Sequence, residues 1–184
     1  MGLIRNILAL LRGNVKLLFL IIFYPKRIKY NPYLRFGKGV EVRVDGKSSM
    51  LFGKGILVNK GTVLSSTDGG ELFIGDMVGL NNNTMIFCHN RIEIGDNTIM
   101  GPGVCIYDHD HSFSSTTGVK RNDFKTTPVK IGKNCWVGAG AIILRGSVIG
   151  DNCLIGAGAV IKGNYPEGSI IIQKRQEILK ESDN

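Results

Sequence analysis

Three histidines are the side chains best suited to proton transfer. Two of them stand one residue apart in GPGVCIYDHDHSFSS, residues 101–115. His109 and His111 alternate there with Asp108 and Asp110, while His89 lies upstream in FCHNR. A neutral imidazole accepts protons well near neutral pH because its ordinary pKa is about 6.5, and a neighbouring carboxylate fixes its tautomer. Read alone, the run fits a metal site, a base with its orienting partners, or a polar loop. Cys88, Cys105, Cys135 and Cys153 form no C-x-x-C pair, which argues against structural zinc. In a chain this large and hydrophobic they read as reduced thiols of a cytoplasmic-type compartment.

What positions these residues is a repeat. From Ile131 the chain reads IGKNCW VGAGAI ILRGSV IGDNCL IGAGAV IK, with aliphatic residues at 131, 137, 143, 149, 155 and 161. The same phase appears at 94, 100 and 106, at 74, 80 and 86, at 52, 58 and 64, and faintly at 36 and 42. An amphipathic helix would drift at about 3.6 residues per turn, whereas an unbroken six-residue period marks a solenoid. The residue two before each aliphatic is usually small (Thr98, Val104, Cys135, Ala141, Ser147, Cys153, Ala159). Positions two apart in a strand face the same way, so both point inward. If three hexads make one coil, Cys135 and Cys153 stack in the core. A parallel β-solenoid, all-β, is the expected fold.

Between Ile106 and Ile131 the phase breaks, and the gap holds 19 residues more than one hexad needs. This predicts an excursion loop at about 108–128 with the histidine run at its root, where functional residues concentrate. Phe113 and Phe124 inside it are candidates to shape an acceptor pocket or to pin the loop to a neighbour.

The net charge of +8 belongs to one end. Residues 1–40 carry Arg5, Arg12, Lys16, Lys26, Arg27, Lys29, Arg35 and Lys38 and no acid, and the remainder is balanced. With no reader motif and no basic patch on the body, nucleic acid is not an expected partner. The uninterrupted apolar run Leu17–Tyr24 is well short of the roughly 20 residues that span a bilayer, and no signal-peptide cleavage site follows it. Residues 1–24 read as a helix that either lies on an anionic membrane surface, through residues 1–29, or packs on its own domain or another subunit. The expected organisation is a helical segment at 1–33, a solenoid at 34–165, and a strand and helix tail at 166–184.

Over roughly residues 34–165 the chain resembles the hexapeptide-repeat acyltransferases, whose fold is a three-sided left-handed parallel β-helix. It looks most like their sugar and capsule-type O-acetyltransferases, because IGDNTIMGPGVCIY, the His-bearing loop and PVKIGKNCWVGAGAIILRGSVIGDNCLIGAGAVI occur in that order. The resemblance implies a homotrimer with sites between subunits and acetyl-CoA as donor substrate, with no metal. The acceptor it implies is a carbohydrate or lipid-linked glycan of bacterial surface polysaccharide synthesis, handled at the cytoplasmic face of the membrane. His111, nine residues after Pro102, falls at the family's catalytic histidine, with His109 as the alternative. Asp108 or Asp110 would orient the imidazole.

In the acceptor cleft, Asn81 of LNNNT matches the family's substrate-facing asparagine, and Asn83 belongs to the same corner. His89 stands where related enzymes carry an acceptor-binding carboxylate, and Asp108 is a further binding candidate. For the donor, the resemblance points to Trp136, Gly138 and Ala139, with Gly156 and Ala157, along the pantetheine arm. Lys162, Lys174 and Arg175 are candidates for its phosphates. The ending IIIQKRQEILKE departs from the family's usual Gly-Asn-Pro-Ala. Three other readings stand beside this one: an amino-sugar N-acetyltransferase, a zinc-dependent carbonic anhydrase on the same solenoid with three histidine ligands, and a non-catalytic scaffold.

Overall fold

The structure is a computed structural model that describes residues 2–31 and 33–174. Its body is a three-sided parallel β-solenoid of six complete coils and part of a seventh. Each coil contributes one strand to each of three sheets, of seven, seven and six strands. The aliphatic residues of the hexad phase, from Phe36 and Val42 through Ile155 and Ile161, are all buried, and so are the small residues two before them. Buried polar members of that set are satisfied: the Thr98 hydroxyl donates to the Gly132 carbonyl at 2.8 Å and accepts from the Cys135 amide at 3.1 Å. Leaving such groups unpaired would cost about 1–3 kcal/mol each. Cys135 and Cys153 are buried free thiols in successive coils.

The coils are not equal in length. Partner strands are offset by 22 residues between Arg35, Leu57 and Gly79, by 20 between Gly79 and Ile99, and by 18 between Trp136 and Leu154. The offset between Ile99 and Trp136 is 37, which leaves the 19 extra residues expected from the sequence. Those residues are not an irregular loop. They form an antiparallel hairpin of His109–Ser114 and Gly118–Thr126, with a register shift between His111 and Ser112. The last solenoid strand before it is Cys105–Tyr107, so the histidine run belongs to the hairpin rather than to a hexad strand. Phe113, Val119 and Phe124 are the apolar residues of the two arms, so the ribbon is held by backbone pairing between the arms and by Phe124 rather than by an alternating pattern.

Two of the three corners differ in character. Between the second and third sheets the chain turns tightly at Gly101–Pro102–Gly103, Gly138–Ala139–Gly140 and Gly156–Ala157–Gly158, and these turns stack on one another. A Cβ on Gly138 would lie 2.5 Å from the Ala157 amide nitrogen, and one on Gly101 would lie 2.6 Å from that of Ala139. Between the third and first sheets the corner is irregular, and the hairpin leaves from it.

Helix Gly2–Phe23 packs on the first coil. Leu17 is fully buried there, the Lys16 ammonium donates to the Val40 carbonyl at 2.5 Å, and Gly13 passes close to the Leu34 carbonyl. The first solenoid strand, Ile28–Lys29, precedes residue 34, so the coils begin earlier than the repeat suggests. The helix continues through Arg12, Gly13, Asn14 and Lys16. Its segment Asn6–Phe23 is therefore long and apolar enough to cross a membrane by length and composition, although the uninterrupted apolar run alone is too short. Strand Ile170–Ile171 ends the described solenoid. The expected C-terminal helix and Arg175 lie outside the described residues.

Candidate active site

Strand pairing explains how the histidines meet. Met85 pairs with Cys105 and Phe87 with Tyr107, an offset of 20 that puts His89 over His109. Their rings stack with centroids 3.6 Å apart and planes 10° from parallel. Phe124, opposite His111 in the hairpin register, is the hub of the cluster. It stands edge-on to His89 at 4.6 Å and to His109 at 5.4 Å, and tilted against His111 at 4.7 Å. Phe124 thus pins the hairpin to its own solenoid, whereas Phe113 is exposed. All three histidines gather at the hairpin root through side chains from two coils and both hairpin arms.

Asp108 is the buried anchor of this group. Its two carboxylate oxygens accept the amides of His89 at 2.8 Å and Asn90 at 2.7 Å, and Oδ1 lies 3.1 Å from His109 Nδ1. Burial alone would push its carboxyl up. The hydrogen bonds from His109, both amides and the Cys88 thiol outweigh burial and hold it below the ordinary carboxylate value. Burial, together with the negative charge of Asp108, in turn pushes Cys88 up to about 12, so this thiol is inert near neutral pH. Asp108 is fully buried and engaged by its own chain, beneath His109 and the His89–Asn90 backbone.

His89 is drawn below the ordinary histidine value, first by burial and then by the adjoining His109, against the pull of Asp68 and Asp108. Its Nδ1 lies 3.4 Å from Asp68 Oδ2, outside hydrogen-bonding geometry. His111 carries the exposed imidazole of the three. Asp110, the other candidate orienter, is engaged by Arg145 at 2.5 Å, and Arg145 also donates to Thr127 Oγ1 at 3.3 Å. Arg145 carries no motif signal in the sequence; it comes to the hairpin because its own coil's corner lies directly beside it.

The remaining candidates fall elsewhere. Asn81 and Trp136 line one groove of about 240 Å³ on the second sheet, with Asn59, Gly79 and Ile99. Asn81 Oδ1 accepts its neighbour's amide (Asn82) at 2.8 Å and the Asn59 side-chain amide at 3.4 Å. Asn83 has a left-handed backbone (φ 56°) and its side chain sits over Gly61, so it is a corner residue. Gly138, Ala139, Gly156 and Ala157 follow the same tight corner, where stacking already demands small residues. Lys162 is at the hairpin corner, and exposed Lys174 follows the last second-sheet strand. The Asn81 corner and the hairpin corner lie at opposite ends of strand Met85–Cys88, on the order of 15–20 Å apart at about 3.3 Å per residue. A single chain therefore does not bring Asn81 to His111.

The cluster does not suit a shared metal. A metal binds in the plane of an imidazole, and two rings stacked 3.6 Å apart in nearly parallel planes cannot aim their nitrogens at one ion. Among the described residues no group of three metal-ligating side chains converges.

A family model described as "Bacterial transferase hexapeptide (six repeats)" matches residues 128–163. "Probable acetyltransferase Rv3034c" of Mycobacterium tuberculosis is 32% identical over 146 residues, covering 78% of this chain and 48% of that protein. "Putative lipopolysaccharide biosynthesis O-acetyl transferase WbbJ" of Escherichia coli is 28% identical over 147 residues, covering 76% of this chain and 74% of the relative. The chain thus spans about half the length of the first relative and about three quarters of the second. Among solved structures, a single-site mutant of AntD, an N-acyltransferase from Bacillus cereus in complex with dTDP-4-amino-4,6-dideoxyglucose and coenzyme A, superposes with a TM-score of 0.67. It is 19% identical, over 84% of this chain and 82% of that one, a likeness of fold.

Proposed function

We propose that this chain, whose residues 128–163 match the hexapeptide-repeat transferase model, is an acetyl-CoA-dependent O-acetyltransferase acting on a sugar hydroxyl of a bacterial surface polysaccharide or its lipid-linked precursor. The observation that carries this reading is the gathering of all three histidines on Phe124 at the root of the hairpin, where an exposed imidazole stands on a rigid support. His111 accepts the hydroxyl proton, the freed oxygen attacks the thioester carbonyl, and the C–S bond breaks to release coenzyme A with the proton. Such a base contributes about 10²–10⁴ in rate. The Asp108–His109 contact at 3.1 Å supports a second assignment, in which His109 is the base and Asp108 its orienter. The relatives named above support the acetyl donor, and the name of the E. coli relative, an O-acetyl transferase, supports an O-linked product.

The separation of Asn81 from His111 favours a homotrimer, in which the tight corner of one subunit meets the hairpin corner of the next. Peripheral attachment at the cytoplasmic face of the membrane is part of the same reading. The outer side of the helix is apolar along Ile7, Leu8, Leu11, Val15, Leu18, Phe19 and Ile22, and the basic residues Lys26, Arg27 and Lys29 follow it. Because Leu17 and Lys16 tie the helix to the first coil, it lies along the surface rather than crossing.

The test is release of coenzyme A from acetyl-CoA with a panel of free sugars, nucleotide sugars and lipid-linked glycans, with wild type beside His111→Ala and His109→Ala. Loss confined to His111→Ala supports the first assignment, and loss confined to His109→Ala supports the second. No turnover by wild type with any acceptor would sink the enzymatic reading. For the membrane, Leu11→Glu with Leu18→Glu should abolish flotation with anionic vesicles, and equal flotation would remove that part.

A further inference from the structure

Between the helix and the second sheet lies a cleft of about 630 Å³, at the opposite end of the solenoid from Gly156 and Ala157. Arg12 comes to it from the helix, Arg35 and Lys38 from the first coil, and Lys60 from the next corner, with Asn59 and Asn82 beside them. Among the described residues no acidic side chain lines it, and none of the four cations is in an ion pair. Holding four like charges around one space is unfavourable unless an anion fills it. Guanidinium groups bind phosphoryl oxygens in bidentate fashion, ammonium groups bind them as point charges, and the asparagine amides add neutral donors. The capacity exceeds what one monoanion needs and matches a diphosphate.

The cleft is not isolated. Leu57 and Asn59 line both it and the groove that holds Asn81 and Trp136, and Asn59 donates to Asn81. Between strands Leu57–Val58 and Trp136–Val137 the second sheet advances three strand spacings, about 14 Å. A ligand anchored by its anion in the cleft can therefore extend along the sheet past Asn81. The same helix that forms one wall presents its apolar side to the outside.

We infer that this cleft binds the diphosphate of a sugar-diphosphate acceptor, so that the charged linkage is held by Arg12, Arg35, Lys38 and Lys60 and the sugar lies along the Asn81 groove. The inference rests on the proposed acetyltransferase reading for what the sugar is used for, but not for the binding of the anion.

The test uses the full chain and two readouts. In the first, inorganic diphosphate is titrated calorimetrically into wild type, Arg35→Glu/Lys60→Glu and His111→Ala. The double variant should bind at least about tenfold more weakly, as expected for losing two charge-assisted contacts, and His111→Ala should bind as wild type does. Unchanged circular dichroism and melting of the double variant establish that it folds. Equal diphosphate affinity in wild type and double variant would overturn the inference. So would a double variant that loses acetyl-CoA affinity instead, which would give the cleft to the donor.

In the second readout, acetyl transfer is compared for a polyprenyl-diphosphate glycan in vesicles, a nucleotide-diphosphate sugar and the same sugar without phosphate. KM for the diphosphate-bearing acceptor should rise about tenfold in the double variant, with kcat and the free-sugar reaction unchanged. Whichever of the two diphosphate acceptors shows the rise identifies the source. If no acceptor turns over, the acetyltransferase reading fails and the titration alone judges the cleft.

Discussion

The two corners that bound the third sheet are built on opposite rules. At the tight corner, the late turns at 101–103, 138–140 and 156–158 repeat Gly-x-Gly, and a carbon added at Gly101 or Gly138 would strike the main chain of the next turn. At the hairpin corner the turns differ in every coil, with Asp68, His89, the whole hairpin and Arg145 occupying equivalent places. Stacking demands uniformity, because identical strands must pair at one spacing along the axis. Chemistry needs different side chains to meet, which a solenoid allows most freely where its repeat is broken. The tight corner therefore serves the fold first, and the hairpin corner is free to gather titratable groups around Phe124.

This contrast can be tested from its largest consequence downward. Replacing His111 by Ala should lower acetyl transfer about 10²–10⁴-fold, equivalent to about 3–5 kcal/mol of barrier, while leaving the melting temperature within a few degrees. A melting temperature that falls as far as the rate would make His111 structural.

Gly138→Val should do the reverse. The new side chain meets the Ala157 backbone, so a destabilisation of about 2–4 kcal/mol is expected in denaturant unfolding, and a neutral result would show that the tight corner is more pliable than its contacts imply.

Phe124→Ala comes next. Removing a partly buried ring that touches three imidazoles should cost about 1–2 kcal/mol and loosen the hairpin, read as faster amide exchange over residues 109–126 than over the late coils. Uniform exchange across both regions would mean that the hairpin is held by something other than this ring.

The smallest effect is on pH dependence. His89 has its folded pKa drawn below the unfolded value, so its contribution to stability is fully present above about pH 6.5 and is lost as pH falls through that range. His89→Gln should flatten the fall in melting temperature between pH 7.5 and 5.5. Asp108 has a depressed carboxyl, so its contribution persists above about pH 3.9 and disappears only as pH drops further. An unchanged slope in the His89 variant would show that another group carries the titration.

How much of this was legible in the sequence follows from the same contrast. The core was readable because a period of six repeats one local decision: the phase residues from Phe36 to Ile161 point inward, as alternation along a strand requires. The 19-residue insertion was readable as a break in that phase, but not its conformation. An antiparallel ribbon depends on pairing between two arms rather than on period. The stacking of His89 on His109 was hidden because the local coil offset is 20 rather than 18, and three hexads place Tyr107 rather than a histidine over His89. Sequence reasoning also offered Asp108 and Asp110 as equivalent orienters, and only packing separates them, one buried under His109 and the other drawn to Arg145.

The sequence by itself determined the solenoid, its inward-facing residues, the place where it is interrupted and the uneven charge of its first forty residues. These are properties of period and composition, which local backbone geometry reads directly. Tertiary structure alone decided that His89 and His109 are half-buried and His111 exposed, that Asn81 shares a groove with Trp136 and not with His111, and that Arg12, Arg35, Lys38 and Lys60 line one cleft. Each of those depends on coil length and on how an end helix packs. Small local differences in both are summed over many residues before two side chains meet.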